Sequence, residues 1–290
     1  MSGGLVDKRI GGVRLVGHSL AGEETVVAVP ELNVCFDVGR APPEALPIDT
    51  LCLSHGHMDH AAGIAYYFSQ RAFVGNSAGT VLLHHELVSP LKRILGGWAE
   101  MEGHPSPANI IGMGSGDEHT IRRGMTIRAF ELNHGRGALG FVLIESRHKL
   151  KPELANHIGP QLVELKKKGV QIEYEIRIPL ISYLGDTAVG RWLEIDEVAR
   201  SHLILLECTF FQQDHVHRAR QGKHLHVVDL PEVMEKLKNR HVVLTHVTRR
   251  TSLAEAKRAV RATLHAADLD RIEFLMDRPR RRRSGPAENR

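Results

Sequence analysis

Three histidines and one aspartate lie within six consecutive positions, as His55, His57, Asp59 and His60. The apolar run at 50–53 before them predicts a buried strand. A helix is expected directly after them, so the cluster would lie on the loop where the strand ends, which is where α/β sheets place their chemistry. Neutral imidazole and carboxylate are ligands for zinc and its neighbours in the transition series. The spacing therefore predicts a transition-metal site.

A surface cluster of histidines is the alternative interpretation. The chain contains 19 histidines, and short spacings arise among them by chance. However, four polar side chains at the end of a buried strand would carry a desolvation penalty with nothing to offset it. The metal site is the favoured interpretation.

Polar residues also follow other apolar runs far along the chain. His134, Asp186, Glu207 and His246 stand at or just beyond the ends of such runs. Layered sheets can gather strand ends at one edge although the residues are distant in sequence, so we expect these side chains to join the cluster. The pattern predicts strands at 13–17, 24–29, 33–39, 50–53, 72–75, 126–132, 141–144, 179–184, 202–208 and 241–246, and helices at 61–68, 78–87, 161–168 and 253–265.

Length and composition indicate one large α/β unit with a basic end. The 290 residues are 42% hydrophobic, with a formal net charge of +4. We expect one domain over 1–275 and a basic, disordered tail over 276–290, which contains the arginine-rich run 278–283. This mild basic excess does not by itself indicate a nucleic-acid-binding protein.

Cysteine usage and hydropathy bear on the compartment. Cys35, Cys52 and Cys208 lie in apolar runs with no paired spacing, so they are predicted to be buried free thiols. No apolar segment has the length of a signal-peptide core or a membrane helix. We expect a protein of the cytoplasm, or of another reducing compartment, with no membrane partner.

The spaced residues resemble the ligand series of the metallo-β-lactamase-fold hydrolases. Within that superfamily the chain is most similar to ribonuclease Z, the tRNA 3′-processing endonuclease. The matching segments are Tyr183-Leu184-Gly185-Asp186-Thr187, Glu207-Cys208-Thr209-Phe210, Gly222-Lys223-His224 and Leu244-Thr245-His246. The resemblance spans about residues 50 to 250 and implies an α/β fold of four αββα layers with two mixed β-sheets.

The resemblance also implies two zinc ions, with manganese as an alternative metal. One ion would be held by His55, His57 and His134, and the other by Asp59, His60 and His246. Asp186 would bridge both ions. A metal pair of this kind can activate a shared hydroxide and stabilise the charge of an in-line phosphoryl displacement.

Further roles follow from the same resemblance. His224, backed by Glu207, would donate a proton to the leaving 3′ oxygen, with His226 as the alternative donor. Asp59 would help to orient the attacking water. Thr248 and Arg250 occupy positions where a substrate phosphate could be held.

The resulting functional expectation is a zinc-dependent phosphodiesterase that removes 3′ trailers from precursor tRNA, with a homodimer as a further expectation. The 52-residue interval between His134 and Asp186 is shorter than the long tRNA-gripping arm of the family requires. In addition, the segment 19–33 lacks the Pro- and Arg-Asn-containing loop of typical members of the family. Leu206 stands where those members usually have a histidine. The alternative is therefore a di-zinc hydrolase of a small-molecule phosphodiester, lactone or thioester. A third hypothesis is an RNA-binding protein without turnover.

Overall fold

A computed structural model of the chain describes residues 4–277. Most of the predicted basic tail lies outside these residues. Of its first two residues, Met276 accepts a hydrogen bond from the Ser19 amide at 3.3 Å, and Asp277 pairs with Lys257 at 2.6 Å.

The strands of the described chain form two sheets. Their bounds are β1 Val6–Ile10, β2 Val13–Ala21, β3 Glu24–Val29, β4 Val34–Phe36, β5 Thr50–Cys52, β6 Gly79–His84, β7 Ala108–Met113, β8 Glu118–Arg122, β9 Met125–Glu131, β10 Leu139–Leu150, β11 Glu173–Tyr183, β12 Leu203–Glu207, β13 His241–Thr245, β14 Val247–Thr248 and β15 Ile272–Phe274.

Both sheets are mixed. The first has the order β1-β2-β3-β4-β5-β6-β7, with β14 added beside β2, and the second has the order β15-β13-β12-β11-β10-β9-β8. In the first sheet β4, β5 and β6 run parallel, and in the second β11, β12 and β13 do. Parallel neighbours end at the same edge, which is what brings the predicted ligands together.

The helices of the described chain include several that cover the outer faces of the two sheets. Their bounds are α1 Met58–Ala61, α2 Ile64–Phe73, α3 His85–Glu102, α4 Gly159–Lys167, α5 Asp196–Arg200, α6 Val216–Gly222, α7 Leu230–Lys236, α8 Leu253–Thr263 and α9 Ala266–Leu269. One apolar cluster, including Phe36 and Phe141, fills the space between the sheets. Two further clusters bury α2 and α3 against the first sheet, and α5, α7 and α8 against the second. The four αββα layers expected from the resemblance are confirmed.

Two predicted elements are wrong. Residues 78–87 were expected to be helical, but 79–84 form the buried strand β6 and α3 begins only at His85. An apolar run buried on both faces of a central strand has no alternation that separates it from a buried helix. The expected strand at 72–75 is instead the last two residues of α2 and the turn that follows it, and the buried face of α2 includes Tyr67, Phe68 and Arg71.

The interval between His134 and Asp186 includes a projecting ribbon. Strand β10 pairs with β9 only as far as Glu145, and beyond that point it pairs with β11 alone. Helix α4 belongs to the connection from β10 to β11 and is exposed along most of its length. The segment 146–177 carries seven lysines and arginines against four glutamates, so the ribbon has a net positive charge.

Candidate metal centre

The predicted ligands converge at one edge, where strands of both sheets end. His55 follows β5 of the first sheet, whereas His134 and Asp186 follow β9 and β11 of the second. His246 is the single residue between β13 of the second sheet and β14 of the first, and its backbone is left-handed, with φ of 58°. A non-glycine residue in this region is strained, and such strain concentrates at functional sites.

The side chains form two groups, each within reach of one ion. His55, His57 and His134 make one group with Asp186, and the other contains Asp59, His60 and His246. Within each group the potential ligand atoms lie within 4.8 Å of one another. Nδ1 of His57 is 3.4 Å from Nε2 of His134, and Oδ2 of Asp59 is 3.4 Å from Nε2 of His246.

Asp186 lies between the two groups and directs one oxygen at each. Its Oδ2 is 3.6 Å from Nε2 of His55 and 3.8 Å from Nε2 of His134. Its Oδ1 is 3.4 Å from Nε2 of His60 and 3.2 Å from Nε2 of His246. This is the arrangement that a carboxylate bridging two cations requires.

Hydrogen bonds behind the second group fix the tautomers of its histidines. Asp37, a buried carboxylate, accepts the Nδ1 proton of His60 at 2.6 Å. The Thr209 hydroxyl lies 2.9 Å from Nδ1 of His246 and uses its only proton toward Glu207, so it must accept from the imidazole. The Nε2 atoms of His60 and His246 are therefore assigned as unprotonated. They lie 3.3 Å apart, with their lone pairs facing each other.

The first group is fixed in the same way. Ser54 donates its hydroxyl proton to Asp37 at 2.7 Å and so accepts from Nδ1 of His55 at 3.0 Å. The backbone carbonyl of Lys223 accepts from Nδ1 of His134 at 3.1 Å. Outer hydrogen bonds of this type orient metal-ligating histidines in general.

These residues fit a pair of cations. Within residues 4–277, the buried Nε2 of His55 and Oδ1 of Asp186 have no hydrogen-bond partner. Four inward lone pairs and a buried carboxylate would repel one another unless a positive charge lay between them. Burial lowers the pKa of His60, but Asp186 and Asp37 together raise it well above its usual value. In the absence of a metal the site would thus bind a proton instead.

A second pair of candidate site residues borders the potential metal ligands. Nδ1 of His224 donates to Oε1 of Glu207 at 2.9 Å, and the glutamate is fully buried. Burial lowers the pKa of His224, but Glu207 raises it to about 9. The ring centroids of His224 and His134 are 5.0 Å apart. Both ring nitrogens of His226, the alternative donor, are occupied by other hydrogen bonds, one to the Gln212 carbonyl and one from the Val228 amide.

An open cleft of about 460 Å³ exposes this centre to solvent. Thr248 and Arg250, the residues expected to hold a substrate phosphate, line the cleft together with Arg218 of α6 and Phe210. Within the described residues, the guanidinium groups of Arg218 and Arg250 have no ion-pair partner. The cleft therefore combines potential metal ligands, a candidate proton donor and two cations that can bind an anionic substrate.

Several supporting residues were missed in the sequence. Asp37 accepts from the Ser54 amide, the Ser54 hydroxyl, His60 and the Tyr183 hydroxyl. Its only sequence signal was a carboxylate at the end of an apolar run. Thr209 and Lys223 lay within matched segments, but nothing in their spacing indicated which histidine each would contact.

Comparison with known proteins gives a family match over most of the chain. The family model described as a beta-lactamase superfamily domain matches residues 28–247. The chain is 28% identical to tRNase Z TRZ1 of Arabidopsis thaliana over 259 residues, covering 88% of this chain and 92% of the relative.

Solved structures share the architecture. The metallo-beta-lactamase fold protein YhfI from Bacillus subtilis superposes with a TM-score of 0.61 at 11% identity, covering 89% of this chain and 93% of that protein. The short form of human tRNase Z gives a TM-score of 0.56 at 14% identity, covering 84% and 93%. At such identities the likeness supports the fold alone. Among residues 4–277, no helix is both long enough and apolar enough to cross a bilayer.

Proposed function

Because the chain belongs to the beta-lactamase superfamily, we propose that this metal-dependent hydrolase is an endonuclease of the ribonuclease Z type that removes 3′ trailers from precursor tRNA. The observation that carries this proposal is the Glu207–His224 pair beside the seven metal-ligating side chains. Release of a ribose 3′ oxygen requires a proton, which a general acid at that place can supply, whereas the thiolate of a thioester leaves without one. The relative from Arabidopsis thaliana, named a tRNase Z, supports the same assignment.

The ligand roles follow the two groups of side chains. His55, His57 and His134 would hold one zinc ion, Asp59, His60 and His246 the second, and Asp186 would bridge them; manganese is the alternative metal, for which the two carboxylates are the better donors. When bound, two such cations polarise a phosphodiester and make water nucleophilic near neutral pH.

The remaining chemistry belongs to residues of this chain. Asp59 receives a hydrogen bond from the Gly22 amide at 2.8 Å, which fixes its carboxylate at the mouth of the cleft, where it can orient the attacking water. His224 keeps Nδ1 on Glu207, so Nε2 carries the proton that can pass to the leaving 3′ oxygen. Glu207 stabilises the protonated ring before the transfer.

Substrate binding would use polar and positively charged side chains at two distances from the candidate metal ligands. Thr248, Arg250 and Arg218 line the cleft and can hold phosphates next to the cleaved bond. The positive ribbon 146–177 can contact phosphates farther away, and such contacts would make binding salt-dependent.

A homodimer and a reducing compartment are parts of the same proposal. Tyr66, Ile94, Trp98 and Met101 leave an apolar surface on α2 and α3, with Trp98 48% exposed and Met101 75% exposed. Such patches are typical of protein interfaces. The three cysteines are buried and free, which is consistent with a reducing compartment.

Cleavage of a trailer-bearing precursor tRNA tests the proposal. Purified protein supplied with zinc or manganese should cut at the trailer junction and leave a 3′-hydroxyl on the tRNA body. Asp186→Ala should abolish cleavage. Absence of cleavage with either metal would refute the proposal. Hydrolysis of a chromogenic phosphodiester, a lactone or a thioester in that case would favour the small-molecule alternative, and tight RNA binding with no hydrolysis of any substrate would favour a binding protein.

A further inference from the structure

Glu207 is bonded to more than the candidate proton donor. Its Oε1 accepts from Nδ1 of His224 at 2.9 Å and from the Thr187 amide at 2.8 Å. Its Oε2 accepts from the Thr209 hydroxyl at 2.7 Å and from the Thr209 amide at 3.1 Å. These four donors use the full hydrogen-bonding capacity of a carboxylate that is completely buried.

Among residues 4–277, the Thr209 hydroxyl joins Glu207 by hydrogen bonds to the imidazole of the candidate ligand His246. It accepts from Nδ1 of His246 at 2.9 Å while it donates to Glu207. Because the hydroxyl has a single proton, this direction is forced, and His246 must present its Nε2 lone pair to the site. Thr209 is 2% exposed, so water does not compete for either bond.

We propose that Thr209 is a positioning residue for the second metal group, tying His246 to the carboxylate that also holds the proton donor His224. The inference rests on the proposed function, because it takes the cluster to be a metal site. One hydroxyl thereby sets the tautomer of a ligand in the metal site and the orientation of the glutamate behind the acid. The first metal group depends on different outer partners, Ser54 and the Lys223 carbonyl, and should not respond to a change at Thr209.

Replacement of Thr209 by valine separates this role from general stability. Valine keeps the shape but removes the hydroxyl, so His246 loses the acceptor that fixes its tautomer. We expect one of the two zinc dissociation constants to weaken by about 10- to 100-fold and the other to stay unchanged. Thr209→Ser keeps the hydroxyl and should restore both constants. The measurement is stepwise zinc titration of metal-free protein against a competing chelator, with metal content checked by mass spectrometry.

Thr251→Val is the matched control. Thr251 is also buried, at 5% exposed, and within residues 4–277 its hydroxyl has no hydrogen-bond partner. This variant should keep both zinc constants. If Thr209→Val does not fold, Thr209→Ala replaces it. In the wild-type protein, nitrogen-15 spectra of the histidine rings should show the His246 tautomer with its proton on Nδ1.

Three outcomes would overturn the inference. They are unchanged zinc constants in Thr209→Val, an equal weakening of both constants, and a wild-type His246 that binds zinc through Nδ1 and carries its proton on Nε2. None of them depends on RNA cleavage. A wild-type protein that binds two zinc ions but does not cut precursor tRNA would refute the proposed function and leave this inference standing.

Discussion

Removal of the His224 imidazole should slow RNA cleavage without removing metal. Nδ1 of His224 is held 2.9 Å from a buried glutamate, and its side chain is 16% exposed, so the ring can present an acidic proton to the cleft. A positioned general acid contributes about 10²- to 10⁴-fold in rate, which is about 2.7–5.4 kcal/mol of the barrier. We expect His224→Ala to lose a factor within this range in kcat on precursor tRNA.

The size of the loss should depend on the leaving group. A ribose 3′ oxygen is a poor leaving group without a proton, whereas nitrophenolate leaves without one. With bis(p-nitrophenyl) phosphate the loss in His224→Ala should therefore be less than about tenfold. His217→Ala is the matched control, because His217 lies exposed on helix α6, which ends just before His224, and does not line the cleft.

Single-turnover kinetics on both substrates, with metal content measured in parallel, check this reasoning. An equal loss on both substrates with two metals retained would show that His224 does not protonate the leaving group. Loss of a metal from His224→Ala would instead identify it as a ligand, a role its distance to Asp186 and His246 permits.

Three further predictions concern metal, pH and substrate binding. Chelation should abolish cleavage and lower the melting temperature, because ligand-bound protein gains about 2.7 kcal/mol at a free metal concentration 100 times the dissociation constant; calorimetry with and without added zinc measures this. Burial raises the pKa of Asp49, but hydrogen bonds from Asn33 and Arg71 lower it below the usual value. The contribution of this group to stability is thus full above about pH 4 and falls as the pH drops through the folded-state pKa. In urea unfolding, Asp49→Asn should destabilise the protein at pH 7 and have less effect at pH 3. Arg250→Gln should raise KM for precursor tRNA and reduce the salt dependence of binding by about one counterion, with little effect on bis(p-nitrophenyl) phosphate.

Each of these has a contrary result. Full activity after exhaustive chelation would exclude a metal mechanism. A destabilisation by Asp49→Asn that is equal at both pH values would mean that ionisation of Asp49 does not contribute. A loss in Arg250→Gln that is the same for RNA and for the small diester would place Arg250 in the chemical step rather than in RNA binding.

Much of the architecture was predictable because the site residues follow strands. Apolar runs end just before His55, Asp186 and His246, and parallel strands bring such ends to one edge. Helix α8, expected at 253–265 and found at Leu253–Thr263, has a capping box at Ser252 and an amphipathic pattern that sequence analysis can detect.

The errors and omissions have physical causes. Strand β6 is buried on both faces between β5 and β7, so it lacks the period-two pattern that would have distinguished it from a helix. The function of Asp37 depends on His60 and Tyr183, and Tyr183 is 146 positions away. Only the packing of the two sheets brings these groups together. The exposed ribbon formed by β10 and β11 was missed because its pairing extends beyond the sheet, where no burial pattern marks it.

The position of His246 at the crossing from one sheet to the other has a consequence for the whole molecule. A shift of the second sheet relative to the first would move this imidazole through β13, whereas Asp37 holds His60 on the side of the first sheet. The affinity of the site for metal ions is therefore expected to depend on the relative position of the two sheets. Metal affinity should respond to packing defects in the apolar layer between the sheets, including defects that are distant from the cleft and that a melting curve does not resolve.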